Sequence, residues 1–495
     1  MQISRREFSG YLLGAAAMGL VDLDVFAQVN SDQAKSIRRL ATATASGEGT
    51  WKNLKIEGKI PRDLNGTLFR TAPGESERFG VRLKHLFDGD AYLAGWEFRD
   101  GKVSLRGGFL RSPRRIEEQK AGNMLFNEYG THAADPRKGG KNQPSVNIVK
   151  WRGKLLGLSE GGLPTIIDPG AFDYLGLENF DGAIPDYLTF TAHPRFDPVT
   201  GDMYAFGFEK RPPGTLHVIQ IEIATGKAST LYKAPQTGFN MVHDAMLTEN
   251  YFIIPIMSTF YDMQAVMAGK TMGEALRYAE DRPGMLYAFP RDNKNGKAEP
   301  ISVELPPAIV YHYGNAYETA PNRIVFEMVA YDDASFFEFL RSWRNDRIPE
   351  FRPARVKQIT VDLAKQALLS SSDLYKGAEF PRYDMRFTGK PARYLYVTDG
   401  LYEANASVVR LDLKNKTSRK VNAGSSRTVA EPVFVPRSSA RADEDRGWIL
   451  VQGYDAGRNE NYLEIRDAQT LEFQARIWAA GQHFPLGFHG NFSSI

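Results

Sequence analysis

The sequence predicts an all-β protein, and three observations carry that expectation. Forty-five glycines and 27 prolines are spread along the chain together with 30 phenylalanines and 22 tyrosines, a composition suited to many short strands joined by turns. Turn signals recur at short intervals between brief apolar runs. Between positions 50 and 495 no Ser/Gly/Pro-only run, acidic block or low-complexity tract breaks the alternation. Length alone would allow about three ordinary domains, yet without a linker a single large β body over residues 51–495 is expected. Short strands with no strict repeat fit a propeller or a large sandwich.

The first residues read differently. Ser4-Arg5-Arg6-Glu7-Phe8 precedes an apolar, small-residue run from Tyr11 to Val21, and Val25-Phe26-Ala27 offers a cleavage site before Gln28. Residues 1–27 therefore read as a bacterial twin-arginine export signal, residues 28–50 as a polar leader, and the expected address is the periplasm. The apolar core of about ten residues is too short to span a bilayer. Because this route carries folded chains, a metal acquired in the cytoplasm is compatible with that address.

Strands are expected over residues 54–61, 66–70 and 91–98. Arg99-Asp100-Gly101-Lys102 follows as a hairpin turn, Asp-Gly being a favoured pair for a primed turn. Trp151-Arg152-Gly153-Lys154, Pro198-Val199-Thr200-Gly201 and Ala224-Thr225-Gly226-Lys227 repeat the signal. Helical insertions above the sheets are expected at two places. One is residues 260–280, around Met263, Val266, Met267 and Met272, and the other is residues 334–344. A net charge of +3 with interspersed signs argues against nucleic acid as a partner. The absence of cysteine excludes disulfides and thiolate chemistry.

Half of the 8 histidines share one setting, the edge of a β-type run. They stand in Thr191-Ala192-His193-Pro194, Val242-His243-Asp244, Val310-Tyr311-His312-Tyr313 and Gly487-Phe488-His489-Gly490. Intervals of 50, 69 and 177 residues exclude a local motif, but four neutral imidazoles on separate strands can converge on one metal. A single histidine beside an aromatic residue is more often structural. The carboxylates strengthen the set, because ligand imidazoles normally donate their second N–H to one. Glu160, Glu379 and Glu431 each lie in an apolar, turn-bounded stretch. Imidazoles suit iron, copper, zinc or nickel and do not suit calcium. No dinucleotide fingerprint is present, the glycines serving hairpin turns.

With these motifs in order, the chain resembles the carotenoid cleavage oxygenases from about residue 54 to 495. Gly58-Lys59-Ile60-Pro61 with Leu64-Asn65-Gly66 and Arg70 is similar to the family's opening strand, and His85-Leu86-Phe87-Asp88-Gly89-Asp90 to its most recognisable motif. The resemblance implies a seven-bladed propeller with His193, His243, His312 and His489 holding Fe(2+) as metal ligands and catalytic residues. Glu160, Glu379 and Glu431 would each support a ligand imidazole. The implied reaction takes a small hydrophobic alkene and O2 and gives two carbonyl products, with no external reductant because the alkene supplies the electrons. Tyr311, Tyr313, Phe488 and Phe492 become candidate liners of an apolar tunnel. The Met-rich segment 257–272 is a candidate for peripheral membrane contact or for a helical cap. Two positions depart from the pattern. Ala91 stands where the family has glycine. Ser159 stands where the stilbene-cleaving branch has a lysine for the phenol oxygen, although Tyr129 matches that branch's tyrosine. A carotenoid or apocarotenoid substrate is therefore expected first, and a lignostilbene or isoeugenol-type alkene second.

Overall fold

The computed structural model describes residues 37–494 apart from 138, 212–213, 237, 294–295, 344–348 and 438–442. The twin-arginine segment lies outside the described residues. Antiparallel sheet dominates and helices are few, as the composition predicts. Among the described residues there are seven sheets of four or five strands, one of three and one of two. Most are simple meanders: Ile309–Ala320, Arg323–Tyr331, Arg355–Asp362 and Ala367–Lys376 pair strictly in chain order. Two sheets instead join the ends of the chain. Ile56–Gly58 adds to the edge of Phe473–Trp478, with Ile56 opposite Ile477, while Gly490–Ser494 adds to Gly66–Pro73, with Leu68 opposite Phe492.

The Asp100-Gly101 hairpin forms as read. Both residues have positive φ, 52° and 76°, and Arg99 pairs with Lys102 across the turn. The expected insertion at 334–344 is the helix Ser335–Arg341, which buries Phe336, Phe337, Phe339 and Leu340. Phe336 stacks on Tyr331 at 4.0 Å between ring centroids. The segment 260–280 is less helical than expected. It holds two short helices, Met263–Met267 and Met272–Ala275, and returns to sheet at Leu276–Tyr278. Met267 is 80% exposed whereas Met257 is buried, so the methionines do not form one continuous face. Among the described residues, helix was missed at residues 37–40, inside the expected polar leader, where Ile37 and Ala41 are buried, and at Pro113–Ala121. The latter's signals were present: Ser112 caps the Arg115 amide, proline follows, and Gly122 closes the helix at φ 63°. Ala91 is no turn residue but the first of the strand Ala91–Arg99, and the preceding turn rests on Gly89 at φ 123°.

The largest apolar cluster brings Leu86, Tyr311, Tyr331, Phe336, Phe380, Tyr402 and Phe488 together from widely separated parts of the chain. One carboxyl interrupts the core. Glu327 is fully buried, its Oε1 accepts a 3.2 Å hydrogen bond from Gln358 Nε2, and its Oε2 has no partner among the described residues. Burial pushes this carboxyl up to about 7 from an ordinary 4.5. A group that holds its proton more tightly when folded loses stability as pH rises from the unfolded value to the folded one, and the loss is complete above the latter. Glu327→Gln should therefore stabilise the protein at pH 8 by up to about 3 kcal/mol and have little such effect at pH 4. Urea midpoints of both proteins at the two pH values check this, and a difference independent of pH would refute it.

Candidate metal centre

Several side chains of the centre are aimed by a local irregularity in a strand or turn. His312 lies in Ile309–Ala320 where the ladder shifts register between Val310 and Tyr313. Glu379 and Glu431 lie at comparable shifts, between Glu379 and Arg382 and between Val429 and Pro432. Such bulges turn a side chain out of the strict in–out alternation. Glu160 sits at φ 71°, and His489 follows Gly487 at φ 69°, where a Cβ would meet the Thr71 carbonyl oxygen. His193 is fixed through its amide, which donates to Thr191 Oγ1 at 2.9 Å.

The four histidines converge. Nε2 of His193 lies 3.0 Å from that of His243, His243 3.3 Å from His312, and His312 3.0 Å from His489. Each offers one nitrogen within 4.8 Å of all the others, and together they form a group able to hold a metal ion. Two nitrogens each about 2.1 Å from an ion and at right angles to it would be about 3.0 Å apart, so the spacing fits a shared cation. The rear of each ring tells the same story for three of them. Glu379 Oε2 lies 2.7 Å from His312 Nδ1 and Glu431 Oε1 lies 2.8 Å from His489 Nδ1. Glu160 Oε1 stands 2.5 Å from His243 Nδ1, close but poorly aligned for a hydrogen bond. A carboxylate accepting the Nδ1 proton leaves Nε2 as a bare lone pair directed at the centre. Among the described residues His193 has no such support, Asp244 Oδ1 being 3.9 Å from its Nδ1. Asp244 is taken by Arg195 at 2.7 and 2.8 Å and by the Tyr313 amide.

The electrostatics follow from burial and these partners. Burial, reinforced by the other three imidazoles, holds His193 well below the ordinary histidine range. Burial also brings His489 down to about 4 despite Glu431. At His243 burial acts in the same direction, but Glu160 together with Asp244 and Glu379 outweighs it, and the value rises. Glu431 falls to about 2, because Arg382, His489 and Arg70 outweigh its burial. Sequence reasoning placed Arg70 only in the opening strand, without its partner Glu431, and missed Arg382 and Tyr331, whose hydroxyl donates to Glu379 Oε1 at 2.9 Å. Arg70 and Glu431 are 361 residues apart, and no local signal links them.

Two surroundings meet at the centre. On one side Tyr311 approaches His243 at 5.4 Å between ring centroids, and Phe87 meets Phe488 at 5.4 Å and Tyr129 at 5.5 Å. Phe87 comes from the 85–90 motif, whose Asp88 accepts from the Gly130 amide and Thr131 Oγ1 at 2.7 Å each. On the other side is a small cavity of about 50 Å³ bordered by His193, Arg195, Asp244, Tyr313, Arg382 and Asn491. Tyr313 thus faces polar neighbours, unlike Tyr311 and Phe488. Phe492, read as a liner, instead packs against the core around Trp96 and Phe98. Ser159 turns to Asn142 Oδ1 at 2.5 Å. Of the remaining histidines, His217 meets Glu209 and His483 meets the Leu40 carbonyl, so the structural role expected of a lone histidine holds for them.

A buried all-imidazole cluster backed by carboxylates, set among antiparallel sheets beside an aromatic wall, defines a candidate non-haem metal centre. The sequence model of the retinal pigment epithelial membrane protein family matches residues 41–494, and the chain belongs to this family, that of the carotenoid cleavage oxygenases. It is 28% identical to the apocarotenoid-15,15'-oxygenase of Synechocystis, over 88% of this chain and 92% of that one. It is 28% identical to resveratrol cleavage oxygenase 1 of Aspergillus fumigatus, over 90% and 93%. It is 29% identical to the isoeugenol monooxygenase of Pseudomonas putida, over 85% and 89%. The crystal structure of cobalt-substituted Synechocystis apocarotenoid oxygenase superposes with a TM-score of 0.84 at 27% identity, covering 93% of this chain and 99% of that one.

The purified protein is expected to bind one divalent transition-metal ion, and His312→Ala to abolish that binding. Glu431→Gln should weaken it about 10- to 100-fold without abolishing it. Metal content after dialysis and competition with a chelator measure both. A His312→Ala protein that retains a full complement would remove His312 from the ligand set.

Proposed function

We propose that this protein is an exported, Fe(2+)-dependent dioxygenase that cleaves a C=C bond of a carotenoid or apocarotenoid with O2 to give two carbonyl products. The observation that carries the reading is the convergence of four imidazole lone pairs beside an aromatic wall. His193, His243, His312 and His489 would hold the ion, and the preference for iron rests on the family resemblance. When bound, iron supplies the activation of O2 towards an electron-rich alkene. Glu160, Glu379 and Glu431 keep the imidazoles oriented by engaging their Nδ1 positions. Phe87, Tyr311 and Phe488 provide the apolar face on which a conjugated chain lies, and they exclude water from it. The seven larger sheets are read as the blades of a propeller, with the two sheets that join the chain ends closing the ring.

Substrate class turns on Ser159. A phenol oxygen is held best by a cation, and a neutral hydrogen bond is worth about 0.5–1.5 kcal/mol against about 1.5–3 for a charged one. Ser159 is neutral and engaged with Asn142, whereas apolar burial supplies most of a polyene's binding. The iron-loaded enzyme should therefore show a higher kcat/KM on an apocarotenal than on 4-hydroxystilbene, and Ser159→Lys should gain stilbene turnover. One observation favours a second reading, a stilbene or isoeugenol-type alkene: the aromatic side carries the hydroxyls of Tyr129, Tyr261 and Tyr311. Faster cleavage of the stilbene by the unaltered enzyme would establish that reading instead.

The export route is open to a separate test. A reporter fused after residue 27 should reach the periplasm, and replacing both Arg5 and Arg6 by lysine should stop it. Continued export of the double variant would argue against the twin-arginine route.

A further inference from the structure

Tyr311 is 94% buried by its 6% exposure, and its hydroxyl has no hydrogen-bond partner among the described residues. An orphaned buried hydroxyl is costly, and phenylalanine would fill the same place without that cost. The ring itself is well accommodated, meeting His243 at 5.4 Å, Phe336 at 5.7 Å and Phe87 at 6.5 Å between centroids. Packing therefore accounts for the ring and leaves the oxygen unexplained. On the same aromatic side, the hydroxyls of Tyr129 and Tyr261 lie 3.2 Å apart. One O–H is used between them, and the other is available to a third group. Tyr129 reaches the site through Phe87, the ring that touches both it and Tyr311.

We propose that Tyr311 determines specificity by donating a hydrogen bond to an oxygen atom carried by the substrate's conjugated system. This rests on the alkene-cleaving reading above and adds to it that the preferred alkene is oxygenated. Its oxygen is a carbonyl at the end of a polyene or a hydroxyl on an aryl ring, the chemistry shared by both being a hydrogen-bond acceptor. The donor is neutral. A phenol ordinarily titrates at about 10, so this hydroxyl keeps its proton at neutral pH. The nearby charges are Glu160, Glu379 and Arg341, and Arg341 is paired with Glu338 at 3.2 Å. Recognition is accordingly by a neutral donor and requires no ionised substrate.

The test compares Tyr311→Phe with the unaltered iron-loaded protein under anaerobic conditions, where binding is read without turnover by quenching of tryptophan fluorescence. Two ligand pairs are used: an apocarotenal against the hydrocarbon lacking its aldehyde oxygen, and 4-hydroxystilbene against stilbene. The unaltered protein should bind the oxygenated member of one pair about 3- to 10-fold more tightly, and the pair that shows this identifies the source of the oxygen. Tyr311→Phe should abolish the preference while leaving iron content and the Kd of the oxygen-free member unchanged. Its Tm should not fall, because the lost hydroxyl stabilises nothing in the free protein. A preference that survives in Tyr311→Phe, equal binding within both pairs, no binding of any ligand, or a lowered Tm would each overturn the proposal. Admitting O2 then separates the two readings: bound alkene that is not cleaved refutes the dioxygenase reading and leaves the subsite standing.

Discussion

Four imidazole nitrogens, all within 4.8 Å of one another and successive ones 3.0–3.3 Å apart, form an arrangement of mutually repelling lone pairs. The rest of the molecule is organised around making that arrangement tolerable. Carboxylates behind three of the rings take up the Nδ1 positions and so fix which nitrogen faces inward. Two of those carboxylates, Glu379 and Glu431, are costly to bury, and both have further support. Glu431 is held by Arg70 and Arg382, and Glu379 by the Tyr331 hydroxyl and the Phe380 amide. Arg70 in turn donates to the carbonyls of Leu486 and Phe488, just before His489. The chain of support thus runs from ligand to carboxylate to arginine and back to the backbone that presents the ligand. Removing one partner leaves an uncompensated buried charge, which costs far more than the pair contributes in isolation.

A second buried network serves the aromatic side. Asp90 accepts from Arg115 at 2.7 Å and contacts Lys141, which reaches Glu118 at 2.8 Å. Glu118 also accepts the amides of Leu125 and Phe126. These charges tie the helix Pro113–Ala121 and residues 125–141 to the 85–90 turn, and that turn presents Phe87. The aromatic wall is therefore positioned by ion pairs, while its surface is aromatic and carries only the neutral hydroxyls of Tyr129, Tyr261 and Tyr311. A conjugated ligand can displace water from such a face without altering the groups that hold it in place.

Closure of the chain contributes at both ends. Gly490–Ser494 pairs with Gly66–Pro73, immediately after His489 and along the strand that carries Arg70. His489 and the arginine behind its carboxylate partner are thus locked by the same ladder. This placement gives the terminal strand a role in the centre as well as in the sheet, and it links folding of the chain ends to assembly of the metal site.

Much of this was legible in the sequence, and the remainder was not, for reasons of length scale. Composition and turn residues determined the all-β class, because they act within a few residues: Asp100-Gly101 needs two positive φ values wherever it stands. The order of motifs singled out His193, His243, His312 and His489 with Glu160, Glu379 and Glu431, since residue type and immediate neighbours survive without knowledge of the fold. The Pro113–Ala121 helix had its caps in plain view and was passed over because its face carries few apolar residues. Which way a side chain points was beyond reach. Register shifts at His312, Glu379 and Glu431 break the alternation that sequence patterns rely on, and Phe492, apolar and beside a ligand motif, turned into the core around Trp96. Partners such as Arg70 and Glu431 meet only after the chain closes on itself. Local chemistry fixes which groups are available, but convergence of strands hundreds of residues apart decides which of them touch, because those contacts depend on packing and charge compensation across the whole molecule.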